Sequence, residues 1–279
     1  FRRVLFRSTR FVDVMEKAPE EERDPTKAVL ILSQLAEDRG DIPGALAWLD
    51  RLDTNDPKIQ FGSDLRRAQL TAKQGDLAGA RKLLGTLKPA EPAEQAQVLL
   101  VEAQLLRDAG KNQEAFKLME QGLKRFPDNT DFLYDFALMA EKMGKPAVME
   151  KALRQVIAKA PDNQHAYNAL GYSLADRNVR LKEAYQLIDK AQKMAPLDPF
   201  IMDSMGWVEF RLGRLEKAEE LLKRAFAIKA DPEIAAHLGE VLWVLGREEE
   251  AKKLWRNAGG KDPKNDTLKS TLKRLQGKL

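Results

Sequence analysis

Apolar residues along this chain recur at intervals of three and four, the spacing of one face of an α-helix. One stretch shows the pattern with Ala218, Leu221, Leu222, Ala225 and Phe226. Short polar turns separate such stretches. Each stretch is long enough for a helix of roughly 12–14 residues, or about 20 Å. The pattern therefore predicts antiparallel pairs of helices and an all-α fold.

Three residue types mark a repeat of this pattern at fixed places. A glycine closes an apolar run at Gly40, Gly75, Gly110, Gly144, Gly213 and Gly246, at intervals of 35, 35, 34, 69 and 33 residues. A small residue follows most of these glycines after five positions, at Ala45, Ala80, Ala115, Ala218 and Ala251. In the fifth repeat Ala184 takes this place, and only the fourth departs, with Met149. A proline ends the repeat at Pro57, Pro92, Pro127, Pro161, Pro196 and Pro263, with Pro232 slightly late.

Each of these positions has a physical reason. Glycine in the turn permits a positive φ between two antiparallel helices. Alanine lets the second helix approach the first closely, where a larger side chain would overpack the contact at a cost of about 1–3 kcal/mol. Proline cannot continue the second helix, so it separates one hairpin from the next. The repeating element is thus a helical hairpin.

These residues and spacings resemble the tetratricopeptide repeat family, and the resemblance covers residues 26–265. It implies a right-handed superhelical solenoid of seven hairpins, over residues 26–60, 61–95, 96–129, 130–163, 164–198, 199–231 and 232–265. Residues 266–279 are predicted to form a capping helix with Leu268, Leu272 and Leu275 on one face. The segment Arg177–Leu181 has one extra residue and no turn glycine, and we interpret it as a tolerated loop insertion.

The formal charge of +4 comes largely from the start of the sequence. Residues 1–8 contain Arg2, Arg3 and Arg7 and no acid, and without them 44 basic residues face 43 acidic ones. This segment resembles translated sequencing-adaptor DNA, so we interpret it as an assembly artefact and exclude it from the fold. Residues 9–25 are interpreted as the remnant of a truncated repeat. A charge so close to balance does not indicate a nucleic-acid partner.

In a superhelix of such hairpins the first helix of each repeat lines the concave surface. The inward positions are mostly aliphatic and polar in the first three repeats, and aromatic residues are added in the last four. We therefore predict a peptide-binding groove in the later repeats, because aromatic and arginine side chains are typical anchors for a bound segment. The predicted groove residues are Tyr134, Leu138, His165, Asn168, Tyr172, Phe200, Asp203, Trp207, Phe210, Arg211, Glu240 and Trp243. Packing between repeats is the alternative role for Trp207 and Trp243, whereas Trp48 and Trp255 are predicted to be packing residues.

Catalytic, metal and cofactor sites are not predicted. The chain has no cysteine, and its two histidines, His165 and His237, lie two repeats apart, so they are expected to be surface or packing residues. Gly259-Gly260-Lys261 ends a helix and is followed by Asp262 where a phosphate-binding loop requires a hydroxyl. We predict a non-enzymatic scaffold.

Three strings in the C-terminal half narrow the resemblance. They are Asn168–Arg177, Asp203–Arg211 and Glu233–Trp243. Together they resemble the C-terminal repeats of proteobacterial tetratricopeptide lipoproteins of the outer membrane. Those lipoproteins are adaptors of a periplasmic C-terminal processing protease (the LbcA type). The resemblance implies a protease partner, cell-wall hydrolase substrates, and a periplasmic location through an N-terminal lipid anchor missing from this sequence. The alternative is the protein-binding arm of a longer enzyme, such as a repeat-bearing transferase, with its catalytic domain upstream. The oligomeric state stays open, and so does a cytoplasmic location as the alternative to the periplasm.

Overall fold

The computed structural model describes residues 25–263 and 265–275, and within them the chain forms fifteen α-helices and no strand. The helices are α1 (Pro25–Asp38), α2 (Ile42–Leu49), α3 (Pro57–Lys73), α4 (Leu77–Thr86), α5 (Pro92–Asp108), α6 (Asn112–Arg125), α7 (Thr130–Lys142), α8 (Pro146–Lys159), α9 (Gln164–Asp176), α10 (Leu181–Met194), α11 (Pro199–Arg211), α12 (Leu215–Ile228), α13 (Pro232–Val244), α14 (Glu248–Lys261) and α15 (Asp266–Leu275). The predicted all-α class is confirmed. The interpretations of residues 1–8 and 9–25 lie outside the described residues, except for Pro25, which begins α1.

The chain divides between Phe132 and Leu133, inside α7, into two compact units. The N-terminal unit contains three hairpins, α1–α2, α3–α4 and α5–α6, whose two helices pack on each other. The C-terminal unit contains most of α7, then α8, the hairpins α9–α10, α11–α12 and α13–α14, and the last helix α15. In this unit α11 packs against both α9 and α13, and α15 packs mainly against α13.

Two of the predicted repeat boundaries fall inside helices. The second and third repeats were predicted to start at residues 61 and 96, but α3 begins at Pro57 and α5 at Pro92. Both prolines occupy the first helical turn instead of closing the preceding repeat. Proline is favoured there because its missing N–H has no partner inside the helix and its φ already suits the helix. Asp56 accepts a hydrogen bond from the Lys58 backbone N–H at 2.8 Å, which caps the start of α3.

The turns confirm the predicted role of glycine. All six turn glycines have positive φ, between 67° and 95°: Gly40, Gly75, Gly110, Gly144, Gly213 and Gly246. In the fifth hairpin Asn178 takes the same place with φ 56°, and the inserted Arg180 is also left-handed with φ 48°. The backbone N–H of Asn178 donates to the carbonyl of Ala175 at 2.9 Å, as that of Gly213 donates to Phe210. The insertion therefore preserves the turn and adds a second left-handed residue.

Arg180 is held in this strained turn by an ion-pair cluster. Its guanidinium donates to the Glu150 carboxylate of α8 at 3.0 Å, and Arg154 donates to the same carboxylate at 2.8 Å. The hydrogen bond from Arg180 is the main cause that lowers the pKa of Glu150 to about 2. The loop insertion thus links α8 to the turn between α9 and α10.

Small residues meet where the two helices of a hairpin cross. The alanines of the predicted column are fully buried, as is Met149 in the fourth repeat. On the facing helix, a Cβ added to Gly206 would lie 2.6 Å from Cγ of Leu222 and 3.4 Å from the backbone oxygen of Ala218. The predicted close approach is confirmed, because it depends on a small residue on each side.

The cores are built from these hairpins. In the N-terminal unit, Leu65 and Leu84 pack with Leu105 of the following hairpin. In the C-terminal unit, α15 adds Leu268 and Leu275 to a core that also contains Trp255. Among residues 25–263 and 265–275, no helix has both the length and the apolar character needed to cross a membrane.

Candidate peptide-binding groove and its polar network

The candidate groove rests on α9, α11 and α13, the first helices of three successive hairpins. Each begins at a polar N-cap that accepts a backbone hydrogen bond: Asn163 from Ala166 at 3.0 Å, Asp198 from Phe200 at 2.8 Å, and Asp231 from Glu233 at 2.9 Å. The caps set the starting point of each helix, and therefore which side chains lie side by side between repeats.

The structure separates the twelve predicted groove residues by exposure. Asp203, Trp207 and Glu240 are buried, with 3%, 1% and 3% of their surface exposed. The remaining nine are half-buried or exposed. The expectation that those three side chains face a ligand is therefore corrected: in this structure they lie beneath the surface and contact other helices.

Trp207 packs between repeats. Its indole Nε1 donates to Oδ1 of Asp176 on α9 at 3.2 Å, and its ring stacks on His237 of α13 with centroids 4.2 Å apart. The Phe210 ring stacks on it at 5.0 Å, and the Arg211 guanidinium lies 4.6 Å from the ring centre. Of the two roles considered from the sequence, the structure thus shows inter-repeat packing for Trp207.

Other aromatic residues pack within their own hairpins. Trp243 of α13 stacks on Trp255 of α14 with centroids 5.9 Å apart. Phe200 is 38% exposed and has the ammonium of Lys229, the residue after α12, at 4.3 Å from its ring centre. Trp255 is buried in the core, and the half-buried Trp48 packs against the core of the first hairpin, as predicted for both. Trp243 and Phe200 therefore make these ring contacts within their own hairpins.

A buried hydrogen-bonded network connects the three helices. Asp203 of α11 has its carboxylate oxygens 2.9 and 3.0 Å from Nδ1 of His237 on α13. Nε2 of His237 lies 3.3 Å from the hydroxyl of Tyr172 on α9. That hydroxyl also donates to Glu233 at 3.4 Å, and Thr267 of α15 donates to the same carboxylate oxygen at 3.3 Å. Side chains of four helices are therefore tied together.

Burial and charge change the acidity of this network. Burial alone would lower the pKa of His237, but the charge of Asp203 and its hydrogen bond, with Glu233 adding to them, raise it above its ordinary value. Burial raises the pKa of Glu233, and burial together with Glu233 raises the pKa of Tyr172 well above its ordinary range. The network favours a protonated imidazole and a neutral phenol.

Glu240 is paired with the last helix. Nη2 of Arg274 on α15 lies 2.6 Å from Oε2 of Glu240, and Nη1 contacts the other oxygen. This two-point pair fixes α15 on α13 and occupies the carboxylate that had been assigned to a ligand.

The accessible part of the candidate groove is the half-buried set on α7, α9 and α11: Tyr134, Leu138, Asn168, Tyr172, Phe210 and Arg211. Oδ1 of Asn168 is buried and has no hydrogen-bond partner within the described residues. Burial raises the pKa of Tyr134, so its hydroxyl stays protonated at neutral pH. His165 is exposed at the start of α9.

Sequence reasoning missed Asp176, Glu233 and Arg274 as members of the site, and it assigned His237 only a packing or surface role. His237 comes one position after Ala236, which lies four residues before Glu240 and so on the same face of the helix. One residue turns the side chain by about 100° around a helix, which directs it toward α11. The signal available in the sequence was a lone histidine, one position away from the predicted inward face of α13. Asp203 lies on the predicted inward face of the preceding first helix, α11.

The N-terminal unit has a cleft of its own. It encloses about 520 Å³ and is lined by Arg66, Gln69, Lys73, Gln104 and Asp108, together with small and apolar residues. Three of these residues, Gln69, Lys73 and Gln104, lie on α3 and α5, the first helices of their hairpins. Within the described residues no group of three or more histidine, aspartate or glutamate side chains could hold a metal ion.

Comparison with known proteins agrees with the repeat architecture. Family models described as tetratricopeptide repeat match residues 28–51, 100–148 and 134–199. The TPR repeat-containing protein PA4667 of Pseudomonas aeruginosa is 40% identical over 247 residues, which are 88% of this chain and 41% of that protein. The chain therefore spans less than half the length of this relative. The chloroplastic PsbB mRNA maturation factor Mbb1 of Chlamydomonas reinhardtii is 34% identical over 80 residues, 28% of this chain and 12% of that protein.

Solved structures show the same fold. The thermophilic tetratricopeptide protein TTC0263 of Thermus thermophilus is 27% identical, with a TM-score of 0.56 over 63% of this chain and 98% of that chain. A tetratricopeptide repeat protein of Parabacteroides merdae is 15% identical, with a TM-score of 0.63 over 89% of this chain and 98% of that one. Within the described residues the helical hairpins have the tetratricopeptide-repeat fold, and the chain is similar to proteins of that family. Proteins built of these repeats generally act as scaffolds for protein–protein interaction.

Proposed function

We propose that this chain is a non-enzymatic adaptor that holds a polypeptide segment against α7, α9 and α11. The observation that carries the proposal is the accessible, half-buried set of Tyr134, Tyr172 and Arg211 above a fully packed layer. A site of this kind loses little conformational entropy on binding, because its lower layer is already fixed by Trp207 and the Asp203–His237 pair.

The chemistry of this set suits a peptide with one apolar anchor and free main-chain groups. Tyrosine offers a large contact area with few rotatable bonds. The hydroxyl of Tyr134 can both donate and accept, whereas that of Tyr172 already contacts Glu233 and His237. Arg211 can donate to a peptide carbonyl or carboxylate. The carbonyl oxygen of Asn168 has no partner within the described residues and lies beneath the surface, so it can accept from a peptide N–H only if the side chain turns outward. The recognition we propose is therefore polar at its edges and aromatic in the middle.

The particular partner we propose is a periplasmic C-terminal processing protease, with cell-wall hydrolases as the substrates presented to it. The strings beginning at Asn168, Asp203 and Glu233 support it through their resemblance to adaptors of that type. The proposed location is the periplasm, with outer-membrane attachment through an N-terminal lipid outside this sequence.

Binding of defined peptides tests both the proposed groove and the proposed partner. Overlapping fluorescent peptides that tile a C-terminal processing protease and cell-wall hydrolases are titrated with the protein, and anisotropy is measured. The triple variant Tyr134→Ala, Asn168→Ala and Arg211→Ala should weaken the best peptide at least about tenfold, equivalent to about 1.4 kcal/mol.

A matched control replaces residues on second helices. Tyr185→Ala on α10 and Arg256→Ala on α14 remove a tyrosine and an arginine away from the groove and should leave affinity unchanged. Equal affinity of the wild type and a triple variant with normal helicity refutes the groove. Tiling peptides that all fail to bind, alongside intact binding of other peptides, refute the protease partner and leave the groove standing.

A further inference from the structure

The buried network spans more than neighbouring repeats. Tyr172 belongs to the fifth hairpin, and the two side chains that it contacts, Glu233 and His237, belong to the seventh. Asp203 of the sixth hairpin holds the imidazole from the other nitrogen. His237 is therefore the point at which three successive hairpins meet.

Charged and titratable groups approach His237 from several directions. Tyr172 and Asp176 come from α9, Asp203 from α11, and Glu233 from its own helix, and all three carboxylates favour the charged imidazole. Arg211 lies over the Trp207 ring on which the imidazole stacks. The polar neighbour from α15 is Thr267, through Glu233. In the core beside α13, α12 contributes Leu222 and α14 contributes Trp255, neither of them charged. With a histidine only 1% exposed, these groups decide its protonation.

The hydrogen-bond pattern fits an imidazole that donates at both nitrogens. Asp203 can only accept at Nδ1 when it is ionised. Tyr172 has a single proton, and when that proton is donated to Glu233 its oxygen can only accept from Nε2. A neutral imidazole that still donates to Asp203 has a lone pair on Nε2. The Tyr172 hydroxyl must then turn its proton from Glu233 to His237, and Glu233 loses that partner.

We propose that His237 is a proton-dependent clasp that positions the groove. Its imidazolium holds α11 to α13 through Asp203 and directs the Tyr172 hydroxyl to Glu233, whereas loss of the proton frees Glu233 and loosens the contact of α9 with α13. Where this affects capture of a polypeptide, the inference rests on the proposed function. Capture should weaken as the clasp loses its proton.

The direction of the pH dependence follows from the charges around His237. The folded protein binds the proton more tightly than the unfolded chain, whose histidine has the ordinary pKa of 6.5. The stability contributed by the clasp is therefore complete below that value and is lost as the pH rises through the raised folded value. The window of change lies above pH 6.5.

Nuclear magnetic resonance of the imidazole tests the clasp without any ligand. The chain has two histidines, so a His165→Gln background leaves one imidazole signal. Titration from about pH 5 to about pH 9 should show a midpoint above the ordinary value of a histidine. The protection factors of amides in α9 and α13, which correct for the intrinsic rise of exchange with pH, should fall several-fold with the same midpoint. The clasp is overturned by a midpoint at or below the ordinary value. It is also overturned if the amide protection factors of α9 and α13 do not change across the titration.

Asp203→Asn separates a clasp from a histidine that only packs. The amide keeps the shape but removes the charge, so burial should dominate and the midpoint should fall below the ordinary value. If this variant does not fold, Glu233→Gln provides the second case and should lower the midpoint by less. A midpoint unmoved by removal of either charge refutes the assignment.

The link to the groove is tested with the best peptide of the tiling set. Wild-type affinity should fall across the imidazole titration, while His237→Gln should bind with an affinity independent of pH. If His237 titrates as expected while wild-type affinity stays constant, only the link between its protonation and peptide binding is refuted. If no peptide binds at any pH, the proposed function fails and the magnetic resonance result still decides the clasp.

Discussion

The burial of Trp207 leads to a prediction that separates packing from ligand contact. Trp207→Phe keeps an aromatic ring but removes the Nε1–H that donates to Asp176. The lost hydrogen bond is worth about 1 kcal/mol. The smaller ring gives up about 1 kcal/mol of apolar burial, and weaker stacking on His237 adds about 0.5 kcal/mol. The free energy of unfolding should fall by about 2–3 kcal/mol.

Urea unfolding followed by circular dichroism measures this change. Amide exchange of α11 serves as the local readout, because repeat proteins can open one part at a time. The matched control is Trp243→Phe, since Trp243 is half-buried and stacks within its own hairpin; its cost should stay near about 1 kcal/mol. An unchanged urea midpoint in Trp207→Phe would show that the indole does not pack between α9 and α13. It would favour the alternative assignment, in which Trp207 contacts the ligand.

Three further predictions concern the turns and the crossing of the helices. Asn178→Gly should stabilise the protein by up to about 1 kcal/mol in urea unfolding, since glycine adopts the left-handed turn without strain; Gly213→Asn, the reverse change in the next hairpin, should destabilise it, and the opposite signs would contradict the turn assignment. Gly206→Ala should cost about 1–3 kcal/mol through its clash with Leu222, so a neutral thermal midpoint counts against the close approach. Glu150→Gln should lower stability by less than about 1 kcal/mol. That difference should be present above pH 4.5, the ordinary pKa, and vanish as the pH falls through the folded pKa of about 2; a difference that persists in acid refutes the pair with Arg180.

The hairpin architecture could be predicted because its signals are local. A turn such as the one at Gly213 needs a positive φ, and a crossing such as the one at Ala218 needs a small side chain, so each leaves a mark at a fixed place in every repeat. The start of α3 at Pro57 was misassigned because proline can both end one helix and begin the next. The choice depends on the cap, here Asp56, rather than on the proline itself.

The candidate site was harder to predict because its contacts depend on which side of a helix faces its neighbour. Trp207 was correctly placed on a first helix, but its burial depends on Asp176 and His237, which lie 31 residues before it and 30 after it. Arg274 pairs with Glu240 only because α15 stacks where the first helix of another repeat would lie. Periodicity indicates a face of the helix, and partners from three other helices decide whether that face is open.

The reach of Tyr172 has a consequence for folding cooperativity. A solenoid whose repeats contact only their neighbours unfolds as a one-dimensional chain, with each interface contributing independently. Tyr172 contacts residues two hairpins away, so opening the fifth hairpin also weakens the seventh. A model with nearest-neighbour terms alone should therefore predict a less cooperative unfolding of α9–α15 than is measured. In Tyr172→Phe, which lacks the hydroxyl, the measured cooperativity should agree with that model.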